Sequence, residues 1–273
     1  MFKESTHLNI LTTYLISIAS VFSLVSCSEN TTTDTSSQLS IYTGRTMVEP
    51  LMVLVREFEQ KKQIKIDVKQ GASGFLYDTL KMEKTGDIYF PGSSSYGKKG
   101  RSENLMSDHV FVGYNRLALI VQKGNPKQLT AELKQLTDPA LSVVLGTRNS
   151  GAVGKTTYKI LTKAGITDQA YANASYLTTD SRELFNAVKN KEADLTVNWF
   201  AVGKWGNADK HVEVIELNSS ISKPKKLELN LLNSSQNKAL AKEFLAYAGS
   251  AHGIETFYKY GFLTDAEFQQ MNQ

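Results

Sequence analysis

From Leu39 onward, short apolar runs of period two alternate with longer runs of helical period. Thr46 and Glu49 have capping-box spacing, and Leu51, Leu54, Val55 and Phe58 then recur every three to four residues. A helix is therefore predicted to start directly after Tyr42-Thr43-Gly44-Arg45-Thr46. Ile64, Ile66 and Val68 alternate with Lys65 and Asp67, which predicts a strand that ends at Gly71-Ala72-Ser73-Gly74. Phe75, Leu76, Leu80 and Met82 predict a second helix, and Asp87-Ile88-Tyr89-Phe90 a third strand stopped by Pro91-Gly92. A βαβαβ order of this kind implies a parallel sheet with helices on its faces.

The pattern then restarts. Residues 110–122 are apolar and β-branched, 141–145 predict a buried strand, and 152–164 a helix. A helix over 181–189, with Leu184, Phe185 and Val188 inward, leads into a strand over 195–197. Further strands are predicted over 212–217 and 227–232, and two helices close the chain, around Leu240 to Tyr247 and Ile254 to Tyr258. The fold class is α/β, in two lobes of similar size, one interrupted by the other: 39–112 with 226–273, and 113–225.

Ahead of Leu39, Lys3 and the apolar stretch from Tyr14 to Val25 have the n- and h-regions of an export signal. The stretch ends in Leu24-Val25-Ser26-Cys27 and is shorter than the roughly 20 residues of a bilayer span. It resembles a lipobox, so residues 1–26 are expected to be a signal peptide and Cys27 the lipidated residue. The alternative is a plain transmembrane anchor with an incidental cysteine. Residues 27–38 are polar and read as a flexible tether. Cys27 is the sole cysteine of the 273 residues, which excludes an internal disulfide or a Cys-based metal site. The formal charge of +4 is spread along the chain without dense Lys/Arg runs, so nucleic acid is not an expected partner.

Four turns share one design, in which a strand ends, small or hydroxyl residues follow and a helix begins: 43–46, 71–74, 148–154 and 178–181. The first N–H groups of such helices lack partners and sit at the positive end of the dipole, which favours an anion. Glycines such as Gly74 and Gly154 let the backbone approach, and serine or threonine adds a donor. In α/β sheets, ligands collect beyond the carboxyl ends of the strands. The third turn, with Gly154-Lys155-Thr156, is most of a phosphate-binding P-loop, but Asn149 stands where the first glycine belongs. Neither Ser73 nor Ser94 completes a nucleophile elbow, and His109, His211 and His252 have no metal-ligand spacing, so no cofactor, metal or catalytic residue is expected.

With "IYTGRTM", "GASGFL", "KTGDIYFPGSSS", "DSRELFNAVKNKEADLTVNW" and "FLAYAGSAHGIETFYKYGF", residues 39–262 resemble a type II periplasmic solute-binding protein. The similarity is greatest to the molybdate- and tungstate-binding components of ABC transporters. The resemblance implies hydroxyl donors at Thr46 and Ser73 from the first lobe and backbone N–H donors at Val153 and Ser181 from the second. Asn198 stands at a family tyrosine. Arg45, Arg148 and Arg182 lie in or beside the turns, where a family site uses neutral donors, so each is either an additional anion ligand or a solvated rim residue. "YTGR" is also similar to ferric-iron-binding relatives, but the adjacent tyrosine pair that holds iron is absent.

The resemblance further implies an envelope lipoprotein, monomeric, not an enzyme, that closes on a small oxyanion by hinging about crossovers near 111–114 and 221–227. Its partners would be the anion, membrane lipid through Cys27, and an ABC permease. A sensor that reports occupancy to a membrane receptor is the alternative, and a hydrolase using Ser73 a third.

Overall fold

The computed structural model describes residues 38–271. The expected signal segment, Cys27 and nearly all of the expected tether lie outside them. Among the described residues no helix is long and apolar enough to cross a membrane.

The first half of the chain runs β1 (Leu39–Gly44), α1 (Val48–Lys62), β2 (Ile66–Gly71), α2 (Ser73–Glu83), β3 (Ile88–Phe90), α3 (Ser94–Ser102), β4 (Met106–Asn115) and β5 (Leu117–Gln122). There follow β6 (Val143–Gly146), α4 (Ala152–Ala164), α5 (Thr167–Asn173), β7 (Ala174–Thr178), α6 (Ser181–Lys189), β8 (Leu195–Trp199) and β9 (Val212–Glu216). The chain closes with β10 (Lys225–Leu232), α7 (Lys238–Ala248), α8 (Ala251–Lys259) and α9 (Asp265–Met271).

These strands make two five-stranded sheets of one design, ordered β2-β1-β3-β10-β4 and β7-β6-β8-β5-β9. In each, three consecutive strands pair in parallel and the fourth pairs antiparallel to both neighbours. Four of the five strands in each sheet therefore point the same way, and β10 and β5 are the reversed ones. Each reversed strand comes from a crossover: β4 passes into β5 through Arg116 alone, and β9 returns to β10 across residues 217–224.

Period-two alternation sorts the first sheet's side chains to opposite faces. Ile41, Ile88 and Phe90 pack with Leu51, Leu54 and Phe58 of α1 and Phe244 of α7. Tyr42 and Tyr89 face the other way, toward Leu76, Tyr77 and Leu80 of α2. The second sheet buries Leu119, Val144, Leu145 and Val197 against Ile160 and Leu161 of α4 and Leu184 and Val188 of α6.

Several local expectations give way to tertiary structure. The helix after Gly44 opens with a 3-10 turn, Arg45–Met47, and the expected capping box does not form. Thr46 and Glu49 instead make bonds to the other lobe. Residues 110–122 are two strands in different sheets, divided by the buried Arg116, which pairs with Glu267 and Glu216. The first crossover therefore falls after Asn115 rather than within 111–114. In α2, Leu76 and Leu80 are buried but Phe75 and Met82 are exposed.

Candidate functional site

The four turns singled out above lie at the carboxyl ends of β1, β2, β6 and β7, and all four meet around a small cavity between the lobes. It is lined from one side by Gly44, Arg45, Thr46 and Ser73, and from the other by Gly151, Val153, Asp180 and Ser181, with Met47, Gly71, Ala72, Gly92, Ala152 and Trp199 completing the wall. The centre of a water molecule can move through about 20 Å³ of it. For a sphere, adding water's own radius of about 1.4 Å makes a void roughly 3 Å in radius.

The helix termini differ in a way that bears on ligands. The turn at Arg45, α2 and α4 have no side-chain cap, because Gly44, Ala72 and Gly151 stand at their N-cap positions. Apart from Gly74 N–H, which bonds to the Ser150 carbonyl, their first N–H groups have no side-chain cap and sit at the positive end of the dipole beside the cavity. The fourth, α6, is capped: Asp180 Oδ1 accepts from the N–H groups of Arg182 at 2.8 Å and Glu183 at 3.2 Å.

Three nearly buried hydroxyls complete the lining. Ser73 Oγ accepts from Gly92 N–H at 3.0 Å, which leaves the Ser73 O–H free to donate. Thr46 Oγ1 and Ser181 Oγ lie 2.8 Å apart and share a hydrogen bond across the two lobes. Behind the cavity, the phenol of Tyr89 donates to the Ser73 carbonyl at 2.5 Å, and burial holds that phenol neutral by raising its pKa well above the ordinary value.

Further bonds close the lobes. Arg45 Nε donates to Asp180 Oδ2 at 3.1 Å. Trp205 Nε1 donates to the Thr46 carbonyl at 3.2 Å, Gly206 N–H to Glu49 at 3.2 Å, and Gly74 N–H to the Ser150 carbonyl at 3.1 Å. A Cβ on Gly74 would stand 2.8 Å from that carbonyl oxygen, so the approach requires glycine.

Of the residues selected from sequence, Arg45, Thr46, Ser73, Val153 and Ser181 line the cavity. Gly74 and Gly154 do not line it but permit close packing: a Cβ on Gly154 would lie 2.0 Å from the Thr147 carbonyl oxygen within the second lobe. Asn198 stands behind the wall with both ends of its amide engaged, donating to the Ser181 carbonyl and accepting from Trp199 N–H. Arg148 lies over the Tyr158 ring in a separate surface depression, and Arg182 stacks on Trp205 with its guanidinium 4.2 Å from the ring centre. Asp180 and Trp205 are functional-site residues that the sequence reading does not single out: Asp180 lies within the fourth turn without an assigned role, and no sequence signal places Trp205 opposite Thr46.

Residues 39–263 match the model of the bacterial extracellular solute-binding protein family. The chain belongs to that family. Its fold is the two-lobed, type II form. This solute-binding protein is 24% identical to YvgL of Bacillus subtilis, over 97% of this chain and all of that one; YvgL is named as a candidate ABC transporter substrate-binding lipoprotein. Among solved structures it is similar to the periplasmic molybdate-binding protein of Azotobacter vinelandii, with a TM-score of 0.73, 15% identity, and coverage of 83% of this chain and 99% of that one. It is similar also to the sulfate-binding protein SubI of Mycobacterium tuberculosis, with a TM-score of 0.69, 13% identity, and coverage of 86% and 90%. At such identities the likeness concerns the fold, and ligand identity rests on the site.

Proposed function

We propose that this solute-binding protein captures a small, fully deprotonated tetrahedral oxyanion of the molybdate, tungstate or sulfate type and presents it to an ABC permease. The observation that carries this reading is the set of three helix starts without side-chain caps, from both lobes, aimed at one void roughly 3 Å in radius. That is the size of one central atom with four oxygens, and a sugar ring or amino acid exceeds it.

The donors are neutral. Arg45 is engaged with Asp180, so its charge offsets a carboxylate at the wall rather than meeting the ligand. Both oxygens of Asp180 already accept hydrogen bonds. An anion that still carries a proton, such as hydrogen phosphate, would have to place it on the lone pair that Asp180 Oδ2 keeps beside Arg45 or on a hydroxyl needed as a donor, and a donor left unpaired in a buried site costs about 1 to 3 kcal/mol. An incoming dianion would break the Thr46–Ser181 bond and take both hydroxyls as donors, with each bond to the charged ligand contributing about 1.5 to 3 kcal/mol. The names of the Azotobacter and Mycobacterium neighbours support the same ligand class. Lipid attachment through Cys27 is supported by the lipobox-like sequence and by the name of YvgL.

Isothermal titration of the protein with molybdate, tungstate, sulfate, phosphate, thiamin and a panel of sugars and amino acids tests the reading. Molybdate, tungstate or sulfate should bind one per chain and raise the melting temperature, with about 2.7 kcal/mol of stabilisation at a hundredfold excess over Kd. Binding of only an organic solute would overturn it.

A further inference from the structure

The Gly154-Lys155-Thr156 segment, excluded above as a nucleotide loop, takes part in a second concave site. Lys155 and Thr156 line a pocket with Lys159, Lys225, Ser93 and Ser95, about 90 Å³ of which is open to the centre of a water molecule. The pocket straddles the lobes. The serines begin α3 on the first lobe, Lys155 and Lys159 are one turn apart on α4 of the second, and Lys225 opens β10 at the return crossover. Gly92 and Ala152 separate it from the central cavity, so closely that a Cβ on Gly92 would lie 3.0 Å from that of Ala152.

Among the described residues no carboxylate lines this pocket and none of the three lysines makes an ion pair. Lys155 has only the face of Tyr96, 5.2 Å from the ring centre. Two lysines four residues apart on a helix repel, and a third brought to them across the seam adds to that cost. The half-buried Lys225 shows the strain: burial first, and the charge of Lys159 second, lower its pKa. Lys155 and Lys159 are exposed, yet both line the same concavity as the half-buried Lys225, in which a serine hydroxyl is also at hand.

We propose that the Lys155, Lys159, Lys225 pocket is a second anion site, for a phosphate- or carboxylate-bearing ligand. Because its walls come from both lobes, it is assembled only when the lobes close. Its occupancy and that of the central cavity therefore favour each other. The anion is either a free ion or the far end of a ligand whose first anionic group sits in the central cavity, a ligand that would have to part the Gly92–Ala152 contact between the two.

The test is calorimetric titration of the full chain in phosphate-free buffer, comparing wild type, the double variant Lys159→Gln/Lys225→Gln, and Ser73→Ala. Inorganic phosphate probes a free ion, phosphonoacetate a two-ended ligand, and molybdate the central cavity. A free-ion site predicts phosphate binding that the lysine variant weakens about tenfold or more and Ser73→Ala leaves within about twofold. A two-ended ligand predicts one phosphonoacetate per chain, with loss of about tenfold or more in both variants. If phosphate and phosphonoacetate affinities in the lysine variant stay within about twofold of wild type, at unchanged melting temperature, or if neither probe binds wild type, the proposal is overturned. The molybdate titration reports separately on the central cavity, since a failure there leaves the phosphate comparison intact.

Discussion

Arg45 of the first lobe donates from Nε to Oδ2 of Asp180 on the second at 3.1 Å, while the other oxygen of Asp180 caps α6. Arg45, the one cation among the described residues of the cavity wall, is thereby assigned to holding the lobes together. The pair is a third exposed on the arginine side, which limits its worth to roughly 0.2 to 1 kcal/mol. Arg45→Ala should therefore weaken oxyanion binding only about two- to fivefold. Asp180→Asn, which keeps a capping acceptor, should behave similarly, whereas Asp180→Ala should also lower the melting temperature through loss of a cap worth about 1 kcal/mol. Titration and thermal melting of the three variants check this, and a loss of a thousandfold or more in Arg45→Ala would place the guanidinium on the ligand instead.

Ser73 is placed to give more. Its hydroxyl oxygen is occupied by Gly92 N–H, so its proton is available to an anion. Ser73→Ala should weaken the oxyanion by about tenfold to a hundredfold, from a charge-assisted bond of about 1.5 to 3 kcal/mol. Ser73→Cys, a weaker donor of similar shape, should fall between, as measured by titration.

Two glycine substitutions should fail for different reasons. Gly74→Ala places a methyl against Ser150 of the opposite lobe, a clash that exists only when the lobes are closed. Affinity should drop about tenfold while the unliganded melting temperature is not lowered, because alanine suits a helix as well as glycine or better. Gly154→Ala clashes with Thr147 inside its own lobe, so it should lower the melting temperature of the unliganded protein as well, by overpacking that costs about 1 to 3 kcal/mol or more. Paired melts with and without ligand separate the two.

Lys225 makes stability depend on alkaline pH. Its folded pKa lies below the ordinary 10.5, because of burial and then Lys159, with Lys155 and Tyr96 also facing the pocket. The folded state therefore resists the charged lysine. That penalty is present in full below the folded pKa and is relieved as pH rises from there toward the unfolded value. Burial pushes Tyr96 up to about 12, which removes stability over an overlapping range, so the quantity to measure is a difference. Denaturant unfolding of Lys225→Gln should show a variant at least as stable as wild type at pH 7, with the gap narrowing toward pH 10.5. A gap that widens would contradict the assignment.

Much of the architecture was legible because local and global preferences agree. The helices over 152–164 and 181–189 lie where their apolar spacing put them, and Gly165 and Asp180 bound them as stop and cap. Helix α3 was not foreseen. Its sequence, Ser-Ser-Tyr-Gly-Lys-Lys-Gly-Arg-Ser, has no apolar period, and it is held by Tyr96 and by Gly97 and Gly100, which let it sit close on Asn230 and Met106. The apolar run over 110–122 hid a change of sheet, since composition does not reveal which partner a strand pairs with.

By itself, the sequence determined the alternation of strands and helices, the small-residue turns at the strand ends and therefore the presence of helix starts with unmet N–H groups, all of which depend on residues near one another in the chain. Which side chains line the cavity was decided by the packing of the two lobes. Thr46 lies far in sequence from Ser181, as does Arg45 from Asp180, and only packing brings them together. A turn residue with a hydroxyl or a guanidinium has several partners open to it, and the one it takes depends on what the opposite lobe presents at hydrogen-bond distance.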